Sequence, residues 1–360
     1  IFGGKSGEHE VSLMSARSVL NAIDQDKYTI YQVGISQEGR WTYSENTLAA
    51  FESNQEEALN EVIIQSRADQ AYLFSIVDGQ LKEITAIDII FPILHGTFGE
   101  DGTIQGLFEI QNCAYVGAGV LASSVAMDKA LCKHVINNEG VPVLPYMVFS
   151  RKQVEVDLAQ IIDTIESTIS YPIFVKPANL GSSVGISKAK DRAQLGEALE
   201  LAAKFDRRIL VERGIEAREI EISVIGNEFP ECSEPGEIVP GDEFYTYKDK
   251  YHSGDPEVAI PAPLPGELSS QLRDWAIRCF KAIDCAGLAR VDFLIDKNTG
   301  DAWFNEINTM PGFTQISMYS KLLAHQGLEY KRLIDRLIEL GLERKAEQEK
   351  TIRKFEVDNG

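Results

Sequence analysis

Apolar positions in the first part of the chain switch between helical spacing and short strand-like runs. Residues 11–23 repeat at helical intervals directly after a Gly3-Gly4 turn and predict a helix. Residues 29–35 alternate like a half-buried strand. Residues 87–94 form an unbroken apolar run with β-branched members, the pattern of a strand covered on both faces. Residues 102–111 read as a helix and 114–117 as a short strand. This strand–helix rhythm predicts an open parallel sheet. Residues 45–69 are polar and acidic and read as a variable, partly helical insertion.

Further on, residues 128–138 read as a helix, 171–177 as a strand, 178–185 as a loop, 192–203 as an amphipathic helix and 209–212 as a strand. In 219–225, Ile220, Ile222 and Ile225 lie among polar Glu219, Glu221 and Ser223, as in a strand with one face buried. Residues 268–282 read as a helix, 290–295 and 302–308 as strands, and 330–340 as a helix with Leu333, Ile334, Leu337 and Ile338 on one face. From 343 onward the chain is charged and reads as a frayed helix or disordered tail. The resulting division is 1–125, 126–214, 215–342 and a tail at 343–360.

Composition narrows the function classes. With 360 residues, 44% hydrophobic and 25% charged, the chain is an ordinary globular sequence with room for two or three domains. Its net charge of −20 argues against a general nucleic-acid binder. No apolar run approaches a bilayer-spanning length. Five scattered cysteines, without CxxC spacing, fit a reducing compartment better than a disulfide framework or zinc site. The opening Ile1-Phe2-Gly3-Gly4 reads as the end of a strand, so a leader cannot be inspected.

The strongest chemical constellation is Arg290 and Asp292 followed by Glu306 and Asn308. Each pair shares one strand face. A hairpin centred near Thr299 places Asp292 opposite Glu306 and Arg290 opposite Asn308. Facing carboxylates repel unless something compensates them. A divalent cation compensates, and the all-oxygen set suits Mg²⁺ with phosphate completing its shell. The alternative is a solvated hairpin face, against which the flanking Val291, Phe293, Phe304 and Ile307 argue.

Lys176 ends a strand and precedes the Gly/Ser loop Gly181, Ser182, Ser183, Val184, Gly185. Such loops cradle phosphates with backbone N–H groups, and a lysine adds a point charge; an ordinary turn is the alternative. Lys129, at a helix start, is a second candidate cation, or a surface lysine. Glu212, Ile215 and Glu219 follow a strand and could meet a nucleoside, although solvated acids are the default for either glutamate alone. Glu8 stands at the first turn of a helix, where it either caps or faces a cationic ligand group. His95 ends the 87–94 run, where open α/β sheets carry ligands. Residues 244–252, aromatic and basic, read as a lid bringing Lys250 and Tyr251 over a site, or as an ordinary hairpin or a peptide-contact surface.

Taken together, these segments resemble the D-alanine–D-alanine ligases of the ATP-grasp superfamily. The resemblance runs along nearly the whole chain: the opening glycine turn with Glu8, 94–106 (LHGTFGEDGTIQG), 126–129 (AMDK), 174–177 (FVKP), 181–185 (GSSVG), 287–293 (GLARVDF) and 305–314 (NEINTMPGFT). Their order and spacing are specific. The resemblance implies an N-terminal open α/β domain followed by two α+β domains gripping ATP between their sheets.

It also implies roles. Lys129, Lys176 and Ser183 would hold ATP phosphates, with Glu212, Ile215 and Glu219 around adenine and ribose. Asp292, Glu306 and Asn308 would bind two Mg²⁺, with Mn²⁺ as a substitute. Glu8 and His95 would position the first D-alanine, and Ser182 and Tyr251 would close a hydrogen-bond network. Lys250 would reach the transferred phosphate, and Arg290 with the Gly312 backbone would stabilise an oxyanion. Ser317 and Met318 would meet the second D-alanine. The resemblance further implies a cytoplasmic homodimer supplying peptidoglycan synthesis, without nucleic-acid or membrane partners. Thr246 departs from the Asp common in relatives. The rivals are a depsipeptide-forming D-alanine–D-lactate ligase, which Lys250-Tyr251 disfavours, another ATP-grasp carboxylate–amine ligase, and a non-catalytic protein on the same scaffold.

Overall fold

A computed structural model describes residues 1–181, 184–239 and 257–352. Ser182, Ser183, Thr246, Lys250 and Tyr251 lie outside the described residues.

The first part comprises β1 (Phe2–Gly3), α1 (His9–Ala22), β2 (Val33–Ile35), β3 (Trp41–Tyr43), α2 (Thr47–Glu52), β4 (Asn60–Arg67), β5 (Gln70–Val77), β6 (Gln80–Ala86), α3 (Thr103–Ile110) and α4 (Val120–Met127). Its sheet runs β1-β2-β3-β4-β5-β6. Only β1 and β2 pair in parallel, and the remaining pairs are antiparallel. The sheet is therefore mixed, where the sequence rhythm predicts a parallel one. The expected partly helical insertion at 45–69 is helical at Thr47–Glu52 and carries a 3-10 turn at Glu56–Ala58, but its end is strand. From Asn60 the chain enters an antiparallel meander whose polar, exposed positions hid its period.

The apolar run 87–94 does lie in the sheet, but it is not a continuous strand. Pro92 has no N–H to donate, and the segment pairs through isolated parallel bridges. Ile90 bridges to Tyr115 on one side and Ile93 to Phe2 on the other. The run thus sits beside β1, with residues 114–117 on its far side, and it delivers His95 to its end.

The second part comprises α5 (Lys129–Asn138), β7 (Tyr146–Ser150), α6 (Arg151–Val156), α7 (Leu158–Glu166), β8 (Ile173–Pro177), β9 (Ser187–Ala189), α8 (Arg192–Phe205) and β10 (Arg208–Arg213). The carboxylates of Asp128, Asp157 and Asp191 cap α5, α7 and α8, each accepting a backbone N–H of the first turn. The antiparallel sheet runs β7-β10-β8-β9. Ile173, Val175, Ile209 and Val211 face a core shared with α7 and α8. The alternate positions Phe174, Lys176, Leu210 and Glu212 occupy the opposite face.

The third part comprises β11 (Ala217–Gly226), β12 (Glu231–Cys232), β13 (Gly236–Val239), β14 (Glu257–Ala259), α9 (Gly266–Ala282), β15 (Gly287–Asp296), β16 (Ala302–Asn308), α10 (Met318–His325) and α11 (Tyr330–Glu349). Its sheet runs β14-β13-β11-β15-β16, with β12 on β11. Ile220, Ile222, Ala289, Val291, Phe293 and Phe304 pack one face against α9, and Cys132 and Ile136 bring α5 into the same core.

The final helix is longer than its apolar stripe predicts, continuing through the charged segment to Glu349. That extension has work to do. Arg344 donates to the carbonyls of Gly117 (2.7 Å) and Tyr115 (3.3 Å) and stacks on the Tyr115 ring.

Candidate active site

The polar faces of the second and third sheets meet across α5. In β15 and β16 the register places Arg290 opposite Asn308 and Asp292 opposite Glu306, as the hairpin argument requires. A β-bulge follows immediately, so Phe293 pairs with Phe304. Strict alternation would put Ala302, Phe304, Glu306 and Asn308 on one face. The extra residue, Asn305, lets Ala302, Phe304 and Ile307 enter the core while Glu306 and Asn308 take the polar face.

Arg290 is the hub of this face. It donates from Nε to Asp292 Oδ1 (2.8 Å) and from Nη2 to Asp292 Oδ2 (2.7 Å), and its Nε lies 3.0 Å from Glu221 Oε2. Burial opposes its charge, but Asp292 and Glu221 outweigh burial and hold the guanidinium firmly protonated. Asn308 Nδ2 donates to Asp292 Oδ2 at 3.0 Å. The carboxylate pair is thus compensated by cations already in the chain, since Glu306 lies 3.3 Å from Lys129 Nζ.

Lys129 also donates to the carbonyl of Leu180 at 2.9 Å, tying the start of α5 to the loop after β8. Lys176 donates to Glu212 Oε2 at 2.8 Å from the adjacent strand. Burial alone would push the Glu212 carboxyl up, but Lys133 and Lys176 hold it down at about 2. Glu212 is 1% exposed, so its side chain serves these two lysines. Ile215 is half-buried in the β10–β11 connection, and Glu219 is exposed near the start of β11.

A second group lies where the first part meets this face. His95 is buried, with Nε2 3.0 Å from Ser15 Oγ and Nδ1 3.2 Å from the Met310 carbonyl. Burial lowers its pKa, and Glu8 only partly offsets this. Gly96 has φ +77°, and a Cβ there would stand 2.5 Å from Glu8 Oε2. A Cβ at Gly181 would stand 3.2 Å from the same oxygen. The Glu8 carboxylate therefore lies where the loop after His95 and the loop after β8 converge. Glu100 Oε1 accepts from the Gly96 N–H at 2.8 Å. Desolvation first, then Glu8, pushes the Glu100 carboxyl up to about 8.

The segment after β16 closes the other side. Ser317 Oγ accepts from the Thr314 N–H at 3.0 Å, and Gly312 lies against the same hydroxyl. Met318 begins α10, and its side chain packs with Ile238 and Leu322. This position offers the backbone N–H groups of a helix start to an anionic group.

Glu8, His95, Lys129, Lys176, Glu212, Arg290, Asp292, Glu306 and Asn308 are therefore brought together from distant parts of the chain. Sequence reasoning missed Lys133, Glu221, Ser15 and Glu100. Lys133 was signalled by its i+4 spacing from Lys129, and Glu221 by its place on the polar face of β11.

For a divalent cation, the donor chemistry fits. Asp292, Glu306 and Asn308 offer only oxygen ligands from the protein, at in-register positions. Among the described residues no three acidic, His or Cys side chains converge into a complete cage. Such a set suits an ion whose shell a phosphate completes.

The family model for the D-ala D-ala ligase N-terminus matches residues 1–118, and that for the D-ala D-ala ligase C-terminus matches 135–339. The chain belongs to the D-alanine–D-alanine ligase family. A curated D-alanine–D-alanine ligase from Thermoanaerobacter sp. (strain X514) is 50% identical, covering 95% of each chain. Among solved structures, the D-alanine-D-alanine ligase from Coxiella burnetii aligns at TM-score 0.83 and 36% identity, covering 97% of this chain and 94% of its own. VanG D-Ala:D-Ser ligase from Enterococcus faecalis aligns at TM-score 0.82 and 32% identity, covering 94% and 97%. The fold is accordingly the ATP-grasp fold of D-alanine–D-alanine ligases.

Proposed function

We propose that the face built around Arg290, Lys129 and Lys176 is where this member of the family joins two D-alanines at the expense of ATP. The activity follows from the family; the assignment of residues rests on the convergence of Lys129, Lys176, Arg290 and Glu306 on one face.

A carboxylate is a poor electrophile. In the first step, an oxygen of the first D-alanine carboxylate attacks the γ-phosphorus, the bond to the β,γ-bridging oxygen breaks, and ADP leaves. In the second, the neutral amine of the other D-alanine attacks the acyl carbon. A tetrahedral oxyanion forms, the amine gives up a proton, and phosphate leaves. Glu8 would hold the ammonium group of the first D-alanine, beside the buried His95 that fixes the loop behind it. Lys129 and Lys176 would neutralise phosphate charge, with Ser183 in the adjoining loop, and Lys250 would reach the transferred group. Ile215 and Glu219 would meet adenine and ribose.

Arg290 and the Gly312 N–H would stabilise the oxyanion, a contact worth about 3 kcal/mol. Ser317 and the backbone at Met318 would bind the carboxylate of the second D-alanine. Ser182 and Tyr251 would complete the network under the lid. Asp292, Glu306 and Asn308 would hold two Mg²⁺, or Mn²⁺, which supply charge neutralisation at the phosphates.

Family resemblance supports a cytoplasmic homodimer and the division 1–125, 126–214 and 215–342. Among the described residues no helix is long and apolar enough to cross a membrane.

The test is phosphate release from ATP and Mg²⁺ with D-alanine alone, with D-serine, or with D-lactate added, the products being identified by mass. D-alanine alone should give D-alanyl-D-alanine. A mixed dipeptide or depsipeptide as the main product would overturn the assignment of the second substrate. Sedimentation of the purified chain checks the dimer.

A further inference from the structure

Lys133 lies one helical turn beyond Lys129 on α5, and only 1% of it is exposed. A buried ammonium is costly unless paired. Its Nζ is 2.6 Å from Glu212 Oε1 and 3.4 Å from the Phe304 carbonyl on β16, two residues before Glu306. The other Glu212 oxygen, Oε2, accepts from Lys176 at 2.8 Å. One buried carboxylate is therefore shared by two ammoniums, and the trio carries a net positive charge. Its members are not equivalent. The side chain of Lys176 is 13% exposed, while those of Lys133 and Glu212 are 1% and 2% exposed. Only Lys176 reaches the face where a ligand would lie.

With a single lysine partner, Glu212 would turn its whole charge on Lys176 and cancel the field that Lys176 presents. Lys133 takes half of that carboxylate. We propose that Lys133 is a positioning residue of the nucleotide site: it counterbalances Glu212 so that Lys176 stays oriented by one carboxylate oxygen and keeps its charge for a phosphate. Lys133 does this without touching the ligand. The inference rests on the ATP-site reading above, and binding of a nucleotide by the unaltered chain tests that reading separately.

The experiment compares binding of the β,γ-imido analogue of ATP, with Mg²⁺, against binding of adenosine, by calorimetry on the full chain. Lys133→Met should weaken the triphosphate about tenfold, the size of loss that removing an outer-shell partner causes at metal sites, and leave adenosine affinity unchanged. The loss should vanish when Glu212 is neutral: Glu212→Gln and the double variant Lys133→Met/Glu212→Gln should bind the analogue equally. Glu212→Gln leaves the buried Lys133 ammonium unpaired. Where either single variant fails to fold, the double variant, which removes both buried charges and keeps that of Lys176, should bind the analogue as the unaltered chain does, and a loss of about tenfold there overturns the proposal. Unchanged analogue affinity in Lys133→Met overturns the proposal. So does an equal loss for adenosine, which marks a purely structural role, or weaker analogue binding by the double variant than by Glu212→Gln.

Discussion

Asp292 stands directly opposite Glu306 across β15 and β16, yet the next residue, Phe293, stands opposite Phe304. The bulge between them separates the aromatic core from the acidic face. Glu306→Gln keeps the shape of the side chain and removes the charge. The Mg²⁺ concentration giving half-maximal phosphate release should rise about tenfold or more. A metal titration identical to that of the unaltered chain would remove Glu306 from the ligand set.

Arg290 holds two carboxylates, Asp292 and Glu221, and is placed to stabilise an oxyanion. Arg290→Ala should therefore fail in two ways. Turnover should fall by about 10²–10³. Stability should fall by about 3–5 kcal/mol, because buried acids lose their partner. Steady-state kinetics and denaturant unfolding read these independently. Loss of stability with normal turnover in the folded protein would make Arg290 a structural clamp only.

Glu212 is held down at about 2 against an ordinary value of 4.5. A carboxyl depressed by folding stabilises the folded state above its unfolded pKa. That contribution is lost as pH falls from 4.5 toward 2. Glu212→Gln should lose less stability across this window than the unaltered chain. Parallel unfolding curves for the two proteins over that range would contradict the lysine–carboxylate trio.

Glu100 is displaced the other way, up to about 8. Folding then favours its protonated form, so its contribution is complete below the ordinary 4.5 and is lost as pH rises through about 8. Glu100→Gln, which mimics the protonated carboxyl, should gain stability relative to the unaltered chain as pH rises through this window. Urea midpoints measured at either end decide it; a constant difference would mean that Glu100 ionises normally.

The second and third sheets were legible in the sequence because each turns an apolar face to its core and a polar face away from it, so period-two alternation is written into 171–177, 219–225 and 290–295. The first sheet was less so. The meander from Asn60 to Ala86 exposes many positions on both faces, and Pro92 breaks a run whose apolarity promised continuity. The pairing of Asp292 with Glu306 came from a symmetric hairpin. Next to the turn the register is one residue off that symmetry, with Ile295 opposite Ala302, and the extra residue Asn305 restores it; without the bulge Asp292 would face Asn305. Lys133 escaped notice because a lysine on a helix is ordinarily solvated. Only the three-dimensional arrangement shows it sealed against Glu212.

The grip of Arg344 on Tyr115 and Gly117 has a consequence for how the molecule is made. The two partners are separated by 229 and 227 positions in the chain. During synthesis the edge of the first sheet emerges early and waits for α11, whose Leu333, Ile334, Leu337 and Ile338 also join the core formed with Phe2, Leu13 and Val19. The early part of the nascent chain therefore carries an uncovered apolar face until α11 is available, and that interval is when a chaperone has something to hold.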